Sequence, residues 1–243
     1  MSFSVVIPFF NEADGAYEVV DELGRELTLL GLGWEALLVD DGSTDRTAEE
    51  LERARARWPQ CRVFSLAVNR GQGAALLHGL ERARAPVIGM MDGDGQNVPA
   101  DFGALLAQLD RADLVNGVRT PRNDSLLRRL MSRLANRVRG RLLRDGLTDA
   151  GCALKVFRRE VLASFLPVAM LNPFMPACAV AAGFRVAERP VRHRPRRGGQ
   201  AHYTFRRMLW RPALDLLAIG WILRRRIPTA ADAPAGGYEN RPR

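Results

Sequence analysis

Two carboxylates one residue apart are the side chains in this sequence best suited to chemistry. Asp92 and Asp94 directly follow a short apolar run, and Gln96 stands two residues further on. Carboxylates at this spacing in a turn can present oxygens to one hard divalent cation. Mg²⁺ or Mn²⁺ bound in this way keeps positions open for water and phosphate oxygens. The same residues also suit an ordinary turn, because Asp and Gly favour turns and Asp caps helices.

Two other polar segments could contribute to a ligand site. Asp40-Asp41 can accept hydrogen bonds from a nucleobase N–H or a ribose hydroxyl, whereas Thr44 and Asp45 suit the cap of a following helix. Asn69-Arg-Gly-Gln-Gly73 resembles a glycine turn that approaches phosphate, but it lacks the full Gly-x-Gly-x-x-Gly fingerprint. Each segment alone is compatible with a nucleotide site and with a plain loop.

Short apolar runs alternate with amphipathic stretches through the first half of the chain. The runs are rich in Val, Ile and Leu, which is typical of strands buried on both faces. The predicted strands are Phe3–Phe10, Ala36–Val39, Arg62–Val68, Val87–Met91 and Asp113–Val118. The predicted helices are Ala13–Leu30, Thr44–Trp58, Gly73–Arg84 and Pro99–Leu109. This alternation predicts an α/β fold, a Rossmann-like mainly parallel sheet sandwiched by helices, which would gather the polar segments at one edge of the sheet.

The second half is rich in arginine, and Lys155 is the only lysine in the chain. Arg119–Arg144 combines arginines with leucines at three- and four-residue spacing, which predicts a basic helix. Val186–Val191 predicts one more strand, and Met208–Leu223 an apolar helix interrupted at Arg211-Pro212. Because arginine forks suit phosphate, an anionic ligand fits the basic helix; a solvated basic face or an RNA-binding surface is the alternative.

These patterns divide the chain into three parts. We expect one α/β domain over residues 1–205, a basic amphipathic C-terminal helix over 206–228 and a disordered tail over 229–243.

The composition is that of a globular protein with a basic surface. The chain has 243 residues, of which 47% are hydrophobic and 26% charged, and this excludes wholesale disorder. Its formal net charge of +9 favours an anionic partner. Three scattered cysteines predict neither a disulfide framework nor a zinc site. We see no secretory signal pattern and no apolar run long enough to span a membrane, so we expect a cytoplasmic protein.

In their order and spacing, the motifs resemble those of family 2 glycosyltransferases. Four of them are Val6-Ile-Pro-Phe-Phe-Asn-Glu12, Leu38-Val-Asp-Asp-Gly-Ser-Thr-Asp45, Asn69-Arg-Gly-Gln-Gly-Ala74 and Asp92-Gly-Asp-Gly-Gln96. Two more, Arg128-Arg-Leu-Met-Ser-Arg-Leu-Ala-Asn136 and Asp149-Ala-Gly-Cys-Ala-Leu-Lys-Val-Phe-Arg-Arg-Glu160, are similar to the polyprenyl-phosphate branch, the dolichol-phosphate mannose synthase-like enzymes. The resemblance runs from about Ser4 to Tyr203 and implies the A-type glycosyltransferase fold.

The resemblance also implies roles for residues that match the family motifs. The implied nucleotide-sugar site comprises Pro8, Phe10, Glu12, Asp40, Asp41, Gly71 and Asp92. The implied site for Mg²⁺ or Mn²⁺ on the donor diphosphate comprises Asp92, Asp94 and Gln96. The implied acceptor-phosphate site comprises Arg119, Arg128 and Ser132. The implied catalytic residues are Asp94, Arg119 and Arg128.

The activity that the resemblance implies is the inverting transfer of a hexose, mannose- or glucose-like, from a GDP- or UDP-linked sugar. The acceptor would be a polyprenyl phosphate, dolichyl or undecaprenyl, at the cytoplasmic face of a membrane. A lipid phosphate is already an anionic nucleophile at neutral pH, so no strong base is needed. Trp210 and Trp221 with flanking arginines suit a helix lying at the membrane surface; an ordinary packed helix or a dimer contact is the alternative. We expect no nucleic-acid partner, and a second copy of the chain is a further candidate partner.

Two segments depart from the family pattern. Asn172-Pro-Phe174 stands where many relatives carry His-Arg-Phe, which bears on the donor sugar. Gly199-Gln-Ala-His-Tyr203 stands where they carry Gly-x-Ser-Lys-Tyr, and a histidine loses its charge above about pH 6.5. The alternatives to the implied activity are the same fold acting on a sugar hydroxyl, which would need a base, a basic nucleic-acid-binding module, and an inactive relative that only binds nucleotide sugar.

Overall fold

A computed structural model of the chain describes residues 2–120, 137–195 and 207–226. Its strands are β1 (Ser2–Phe9), β2 (Gly33–Asp40), β3 (Cys61–Ser65), β4 (Val87–Met90), β5 (Leu114–Thr120), β6 (Lys155–Arg158) and β7 (Val186–Arg192). They form one seven-stranded sheet in the order β3-β2-β1-β4-β6-β5-β7. The pairings are parallel except for those of β6, which runs antiparallel to β4 and β5. The predicted α/β fold with a mainly parallel sheet is confirmed.

Helices cover both faces of this sheet. They are α1 (Ala16–Leu29), α2 (Thr47–Arg57), α3 (Gln72–Arg82), α4 (Phe102–Leu106), α5 (described over residues 137–143), α6 (Leu171–Ala181) and α7 (Arg207–Arg225). Successive residues of a strand point to opposite faces, so the apolar run of β1 feeds two cores. Val5 is buried in a cluster with Leu23 of α1, and Val6 in a second cluster with Leu76 of α3. A central strand apolar on both faces therefore fixes the three-layer arrangement.

Observed boundaries differ from predicted ones at several element ends. The start of the basic helix predicted over Arg119–Arg144 is wrong, because Arg119 lies in β5, which ends at Thr120. The predicted strand Arg62–Val68 ends at Ser65, because its partner strand β2 ends at Asp40, which is the residue paired with Ser65. The predicted helix Pro99–Leu109 is a 3₁₀ turn over Pro99–Asp101 followed by the short α4. Its proline does occupy the first turn, where the missing N–H costs nothing.

The sequence pattern does not predict two elements, β6 and α6. Strand β6 has only four residues and begins with a lysine, so its periodicity is too short to detect. Helix α6 contains Pro176 in its interior, which normally argues against a helix. Burial outweighs this local penalty, because Leu171, Met175 and Cys178 of α6 pack into the same core as α3.

The C-terminal extension is helical, as predicted. Helix α7 runs unbroken through the predicted interruption at Arg211-Pro212. Ile219 of α7 packs in a small buried cluster with Phe174 and Ala177 of α6 and Leu143 of α5. No helix within the described ranges is long and apolar enough to cross a membrane. The division of the chain at residues 205 and 228 stays a prediction, and residues 229–243 lie outside the described part.

Candidate active site

A cleft of about 390 Å³ opens at the sheet edge where β1, β2 and β4 end. Its walls are formed by Pro8, Phe9, Phe10, Glu12, Asp41, Asn69, Gly71, Gln72, Asp92, Gly93 and Asp94. The position follows from the strand order. Strand β1 lies between β2 and β4; α1, which follows β1, covers one face of the sheet and α3, which leads into β4, covers the other, so a crevice forms beyond the strand ends. The polar segments of the first half therefore meet at one place.

Short polar side chains tie the loop after β1 to the loop after β2. The backbone N–H of Asn11 donates to Ser43 Oγ at 3.0 Å, and the N–H of Thr44 donates to Asn11 Oδ1 at 2.8 Å. Asn11 has φ 52°, a left-handed conformation that asparagine tolerates better than most residues. The N–H of Glu12 donates to Thr47 Oγ1 at 2.8 Å. These bonds fix the first loop of the cleft against the second.

Asp41 organises the glycine turn after β3. Its Oδ1 accepts the N–H of Arg70 at 2.9 Å, and its Oδ2 accepts the N–H of Gly71 at 2.8 Å. Gly71 has φ 90°, which requires a residue without a β-carbon. Asp40 beside it accepts the N–H of Ser43 at 3.0 Å and lies behind the cleft wall. Of this pair of aspartates, Asp41 is therefore the one that faces a ligand.

The loop that carries Asp92 and Asp94 is held by several hydrogen bonds. Gln72 Nε2 donates to Asp92 Oδ1 at 2.6 Å, and the N–H of Asp92 donates to Asn97 Oδ1 at 3.0 Å. The N–H of Gln96 donates to Asp94 Oδ1 at 3.1 Å. The carboxylates are thus preorganised at the cleft rather than carried on a free turn.

The same loop is joined to the segment after β7 and packed against β1. The N–H of Arg194 donates to the carbonyl of Gln96 at 2.9 Å, and Gln96 Nε2 donates to the carbonyl of Arg194 at 3.3 Å. A β-carbon on Gly93 would lie 2.8 Å from the carbonyl oxygen of Pro8 and collide with the Phe9 ring. Only glycine allows the loop to approach β1 this closely.

Asp92 and Asp94 place two like charges side by side in the cleft. Burial raises the pKa of Asp92 to about 7, and the charge of Asp94 acts in the same direction, while Lys155 and Arg119 oppose them. A divalent cation would relieve this repulsion, so the donor set fits a hard cation. The described residues contain no cluster of three His, Cys, Asp or Glu side chains, which leaves the other positions of such a cation to neutral oxygens, water and phosphate.

On the other side of the site, Asp149 orients Arg119 at the end of β5. Arg119 Nε donates to Asp149 Oδ2 at 2.8 Å, and Nη2 donates to Oδ1 at 2.7 Å. Glu188 holds this carboxylate in turn, since its Oε1 accepts the N–H groups of Thr148 and Asp149 at 3.0 and 3.2 Å. The hydrogen bonds that Arg119 donates to Asp149 raise the pKa of Arg119, which therefore stays cationic. Among the described residues, Nη1 of the guanidinium has no hydrogen-bond acceptor, so it can donate to a ligand.

The predicted site residues fall into three groups. Those that line the cleft are Pro8, Phe10, Glu12, Asp41, Gly71, Asp92 and Asp94. Those that adjoin it without forming its wall are Asp40, Gln96 and Arg119. Arg128 and Ser132 lie outside the described residues, as does His202.

Sequence reasoning assigns no role to Gln72, Asn97 or Asp149, although each positions a site residue. Gln72 and Asn97 lie in or beside motifs that are visible in the sequence. Asp149 opens a family-like motif, and it is almost fully buried beside the charged Arg119. Its burial requires a partner, but that burial is visible only in the fold, and no local pattern marks Asp149 as the partner of Arg119.

Comparisons with known proteins agree with this geometry. Residues 4–166 match the model of Glycosyl transferase family 2. Dodecaprenyl-phosphate galacturonate synthase of Rhizobium johnstonii is 34% identical over 230 residues, covering 92% of this chain and 68% of that protein. Undecaprenyl-phosphate 4-deoxy-4-formamido-L-arabinose transferase of Salmonella paratyphi B is 34% identical over 209 residues, covering 85% of this chain and 64% of that protein. The chain thus spans about two thirds of the length of these relatives.

Solved structures with the same fold are sugar transferases. Glucosyl-3-phosphoglycerate synthase from Mycobacterium tuberculosis, in complex with phosphoglyceric acid, matches with a TM-score of 0.67 at 20% identity, over 94% of this chain and 81% of that one. Mannosyl-3-phosphoglycerate synthase from Rubrobacter xylanophilus matches with a TM-score of 0.68 at 16% identity, over 97% of this chain and 78% of that one. Other structures of the first enzyme contain UDP with Mn²⁺ or Mg²⁺.

A mainly parallel sheet with a carboxylate-lined crevice at its switch point defines the A-type glycosyltransferase class of fold. Within that class, this chain belongs to glycosyl transferase family 2.

Proposed function

We propose that this family 2 enzyme transfers a hexose, with inversion, from a GDP- or UDP-linked sugar to a polyprenyl phosphate. The reaction would use Mg²⁺ or Mn²⁺ at the cytoplasmic face of a membrane. The observation that carries the proposal is the pairing of a carboxylate loop, Asp92 to Asp94, with the oriented cation Arg119 at the same sheet edge. The names of both similar proteins contain a polyprenyl phosphate, which supports the acceptor class.

The donor half of the site is the cleft. Glu12 and Asp41 line it with carboxylates that can accept hydrogen bonds from a ribose or a base, beside the apolar wall of Phe10. The turn at Gly71 brings backbone toward the donor phosphates. Asp92 and Asp94, with Gln96, would hold the metal. When bound, the metal neutralises charge on the departing nucleoside diphosphate.

The acceptor half favours a phosphate over a sugar hydroxyl. A phosphate monoester is anionic at neutral pH and can attack in line with the leaving group, which inverts the anomeric carbon. Arg119 keeps Nη1 for one of its oxygens, and Arg128 and Ser132 would complete the phosphate site. A hydroxyl acceptor would need a carboxylate base, for which the Arg119–Asp124 region is the candidate; Asp149 is committed to a two-point ion pair with Arg119, and Asp124 lies outside the described residues.

The membrane contact is assigned to α7. Leu214, Leu217 and Trp221 recur at three- and four-residue spacing and are 64%, 60% and 61% exposed. The guanidinium of Arg225 lies over the Trp221 ring, 4.9 Å from its centroid. An exposed apolar stripe bordered by arginine is typical of helices that lie in a membrane interface. Contact with the membrane that contains the acceptor lipid would account for the exposure of these apolar side chains.

The test is a donor screen. The protein is incubated with Mn²⁺ or Mg²⁺, one of several GDP- and UDP-sugars and a short polyprenyl phosphate, and nucleoside diphosphate release is followed with and without the lipid. We expect release from one donor class only when lipid and metal are both present. Unchanged release after chelation would contradict the metal assignment.

Each other outcome points to a named alternative. Release that needs a sugar or glycolipid hydroxyl instead of the lipid phosphate would establish the hydroxyl-acceptor enzyme. Nucleotide-sugar binding without release would indicate an inactive relative. Salt-dependent binding to RNA or DNA without nucleotide-sugar affinity would indicate a nucleic-acid-binding module.

A further inference from the structure

Lys155, the only lysine of the chain, is fully buried at the first position of β6. The sheet register pairs it with Met90 of β4 on one side and with Asn116 of β5 on the other. Strand β4 leads into Asp92, and β5 contains Arg119 near its end. Lys155 therefore lies between the strand that supplies the metal carboxylates and the strand that supplies the acceptor arginine.

Three neutral acceptors surround the ammonium group. Lys155 Nζ donates to the carbonyl of Ala150 at 3.2 Å, to Asn172 Oδ1 at 2.5 Å and to the carbonyl of Cys152. An ammonium has three N–H donors, so this set uses all of them. A lysine held in this way is a rigid joint rather than a free nucleophile or base.

Lys155 fixes the turn that orients Arg119, the proposed ligand of the acceptor phosphate. The two backbone carbonyls bound by Lys155 belong to Ala150 and Cys152, which closely follow Asp149. The Asp149 carboxylate accepts two hydrogen bonds from the Arg119 guanidinium, at 2.8 and 2.7 Å. Glu188 accepts the Asp149 N–H from the other side at 3.2 Å. The turn is therefore held at both ends, and the direction of the Arg119 guanidinium depends on it.

Packing alone does not account for a lysine at this position. Burial opposes the charge and lowers the pKa of Lys155 to about 8, although Asp92 and Asp149 nearby favour the charged form. A methionine has a similar length and carries no charge to desolvate, but it would leave the two carbonyls and Asn172 without their donor. A buried, charged lysine at this position is accounted for if the hydrogen bonds from its ammonium to the turn serve the reaction.

We infer that Lys155 is a positioning residue for the transfer reaction, which holds the Asp149 turn, and through it Arg119, at a fixed place relative to the Asp92 loop. Asn172 is then an anchor of the ammonium, and it lies behind the cleft rather than in its wall. The inference rests on the proposed function, because it takes Arg119 as the ligand of the acceptor phosphate.

Lys155→Met tests the inference, because it keeps the side-chain length and removes the charge and the donors. We expect a folded protein whose affinity for the nucleotide with Mn²⁺ stays within about threefold of wild type. The kcat/KM for polyprenyl phosphate should fall by at least about 30-fold, mostly through KM, since a misplacement of about 1 Å can cost about 10²-fold. Asn172→Leu should give a smaller loss of the same kind, and the double variant should be no worse than Lys155→Met alone.

Val156→Ala is the matched control, at the next buried position of the same strand. It should lower the melting temperature and leave the acceptor KM unchanged. An acceptor kcat/KM within threefold of wild type for Lys155→Met overturns the inference, as does an equal loss of donor affinity. If Lys155→Met does not fold, Asn172→Leu tests the inference by the same comparison: donor affinity should be kept while the acceptor KM rises.

A second readout does not depend on catalysis. Because the chain has one lysine, nitrogen-15 lysine labelling yields a single ammonium signal. Arg119→Gln should shift this signal, since it releases the turn that Lys155 holds; an unchanged signal overturns the link. This measurement decides even if the wild-type protein transfers no sugar to lipid phosphate, so failure of the inference and failure of the proposed function are distinguishable.

Discussion

The neighbouring carboxylates of Asp92 and Asp94 are held differently. The Asp92 side chain accepts a hydrogen bond from Gln72, and its backbone N–H donates to Asn97. Asp94 accepts the Gln96 N–H through Oδ1. Among the described residues, each carboxylate accepts one hydrogen bond through its Oδ1, so both leave oxygen positions for a cation. Asp92 is held by α3 through Gln72, whereas the hydrogen bond to Asp94 lies within its own loop.

Replacing Asp94 should separate chemistry from folding. We expect Asp94→Asn to lower turnover by about 10²–10³-fold, because a preorganised charge at the leaving group is lost, with little change in melting temperature. Nucleoside diphosphate release at saturating donor measures the effect. Asp110→Asn, on the exposed surface beyond α4, is the matched control and should leave turnover unchanged. Full activity of Asp94→Asn would remove this residue from the metal site.

At this scale the sequence predicts ligands better than it predicts their supports. Asp92 and Asp94 can be found because two carboxylates in one turn are a local pattern. The Gln72–Asp92 hydrogen bond at 2.6 Å is not local, since it depends on how α3 sits against β4. Arg119 can be matched to a family position, but its fork with Asp149 joins two strands and a turn that only the fold brings together.

At the scale of elements, the cleft depends on how closely the loop after β4 approaches β1. Gly93→Ala would set a β-carbon 2.8 Å from the Pro8 carbonyl oxygen, so the loop must move away from the strand. We expect affinity for the nucleotide with Mn²⁺ to fall by about 10-fold or more, because the carboxylates lose their geometry. Binding titration measures this. Gly33→Ala at the start of β2, with open space around its β-carbon, is the control.

The pairing of β5 with β7 should make the fold sensitive to acid. Burial acts to raise the pKa of Asp113, but the hydrogen bonds and charge of Arg185 outweigh it and lower that pKa. Arg185 Nη2 and its backbone N–H donate to this carboxylate at 2.8 and 2.9 Å. A carboxyl whose pKa is lowered by folding stabilises the fold above its unfolded pKa of about 3.9, and this stability is lost as the pH falls through the folded value.

Asp113→Asn should therefore destabilise the protein in a pH-dependent way. We expect the free energy of unfolding to fall by about 1.5–3 kcal/mol at pH 7, and the difference from wild type to shrink toward zero near pH 2. Urea titrations at both pH values measure it. A difference of the same size at both pH values would show that the carboxylate charge is not involved.

Elements with a strong period were predicted and short or unusual ones were not. Strand β1 is a continuous apolar run, and the prediction Phe3–Phe10 misses the observed Ser2–Phe9 by one residue at each end. Strand β6 owes its place to two flanking strands, and α6 overrides an internal Pro176 through burial. Both depend on tertiary contacts that no local window contains.

At the scale of the whole molecule, the apolar stripe of α7 lies opposite the side of the helix that packs on α6. Ile219 is buried there, while Leu217 and Trp221 face outward. Arg224 and Arg225 follow at the end of the helix and can meet anionic headgroups. The net charge of +9 acts in the same direction.

Removing the stripe should release the protein from lipid. We expect the double variant Leu217→Ser and Trp221→Ser to bind phosphatidylglycerol-containing vesicles about 10-fold less tightly, because it loses two exposed apolar side chains that the membrane would bury. Co-sedimentation measures the effect. Leu29→Ser is the matched control, since Leu29 is 80% exposed at the end of α1, on another helix. Equal binding of both variants would leave α7 without a role at the membrane.

The reversed direction of β6 has a consequence for how such enzymes diversify. The chain leaves the sheet at the end of β5 and returns to it in the adjacent antiparallel strand, where Asn116 and Lys155 are direct partners. The two ends of the segment between these partners are thus about 5 Å apart, whatever its length or composition. We therefore predict that the segment that contains Arg128 and Ser132 can be exchanged between family members. Chimeras that swap it between family members should keep the donor cleft and inherit the acceptor preference of the parent that supplies the segment.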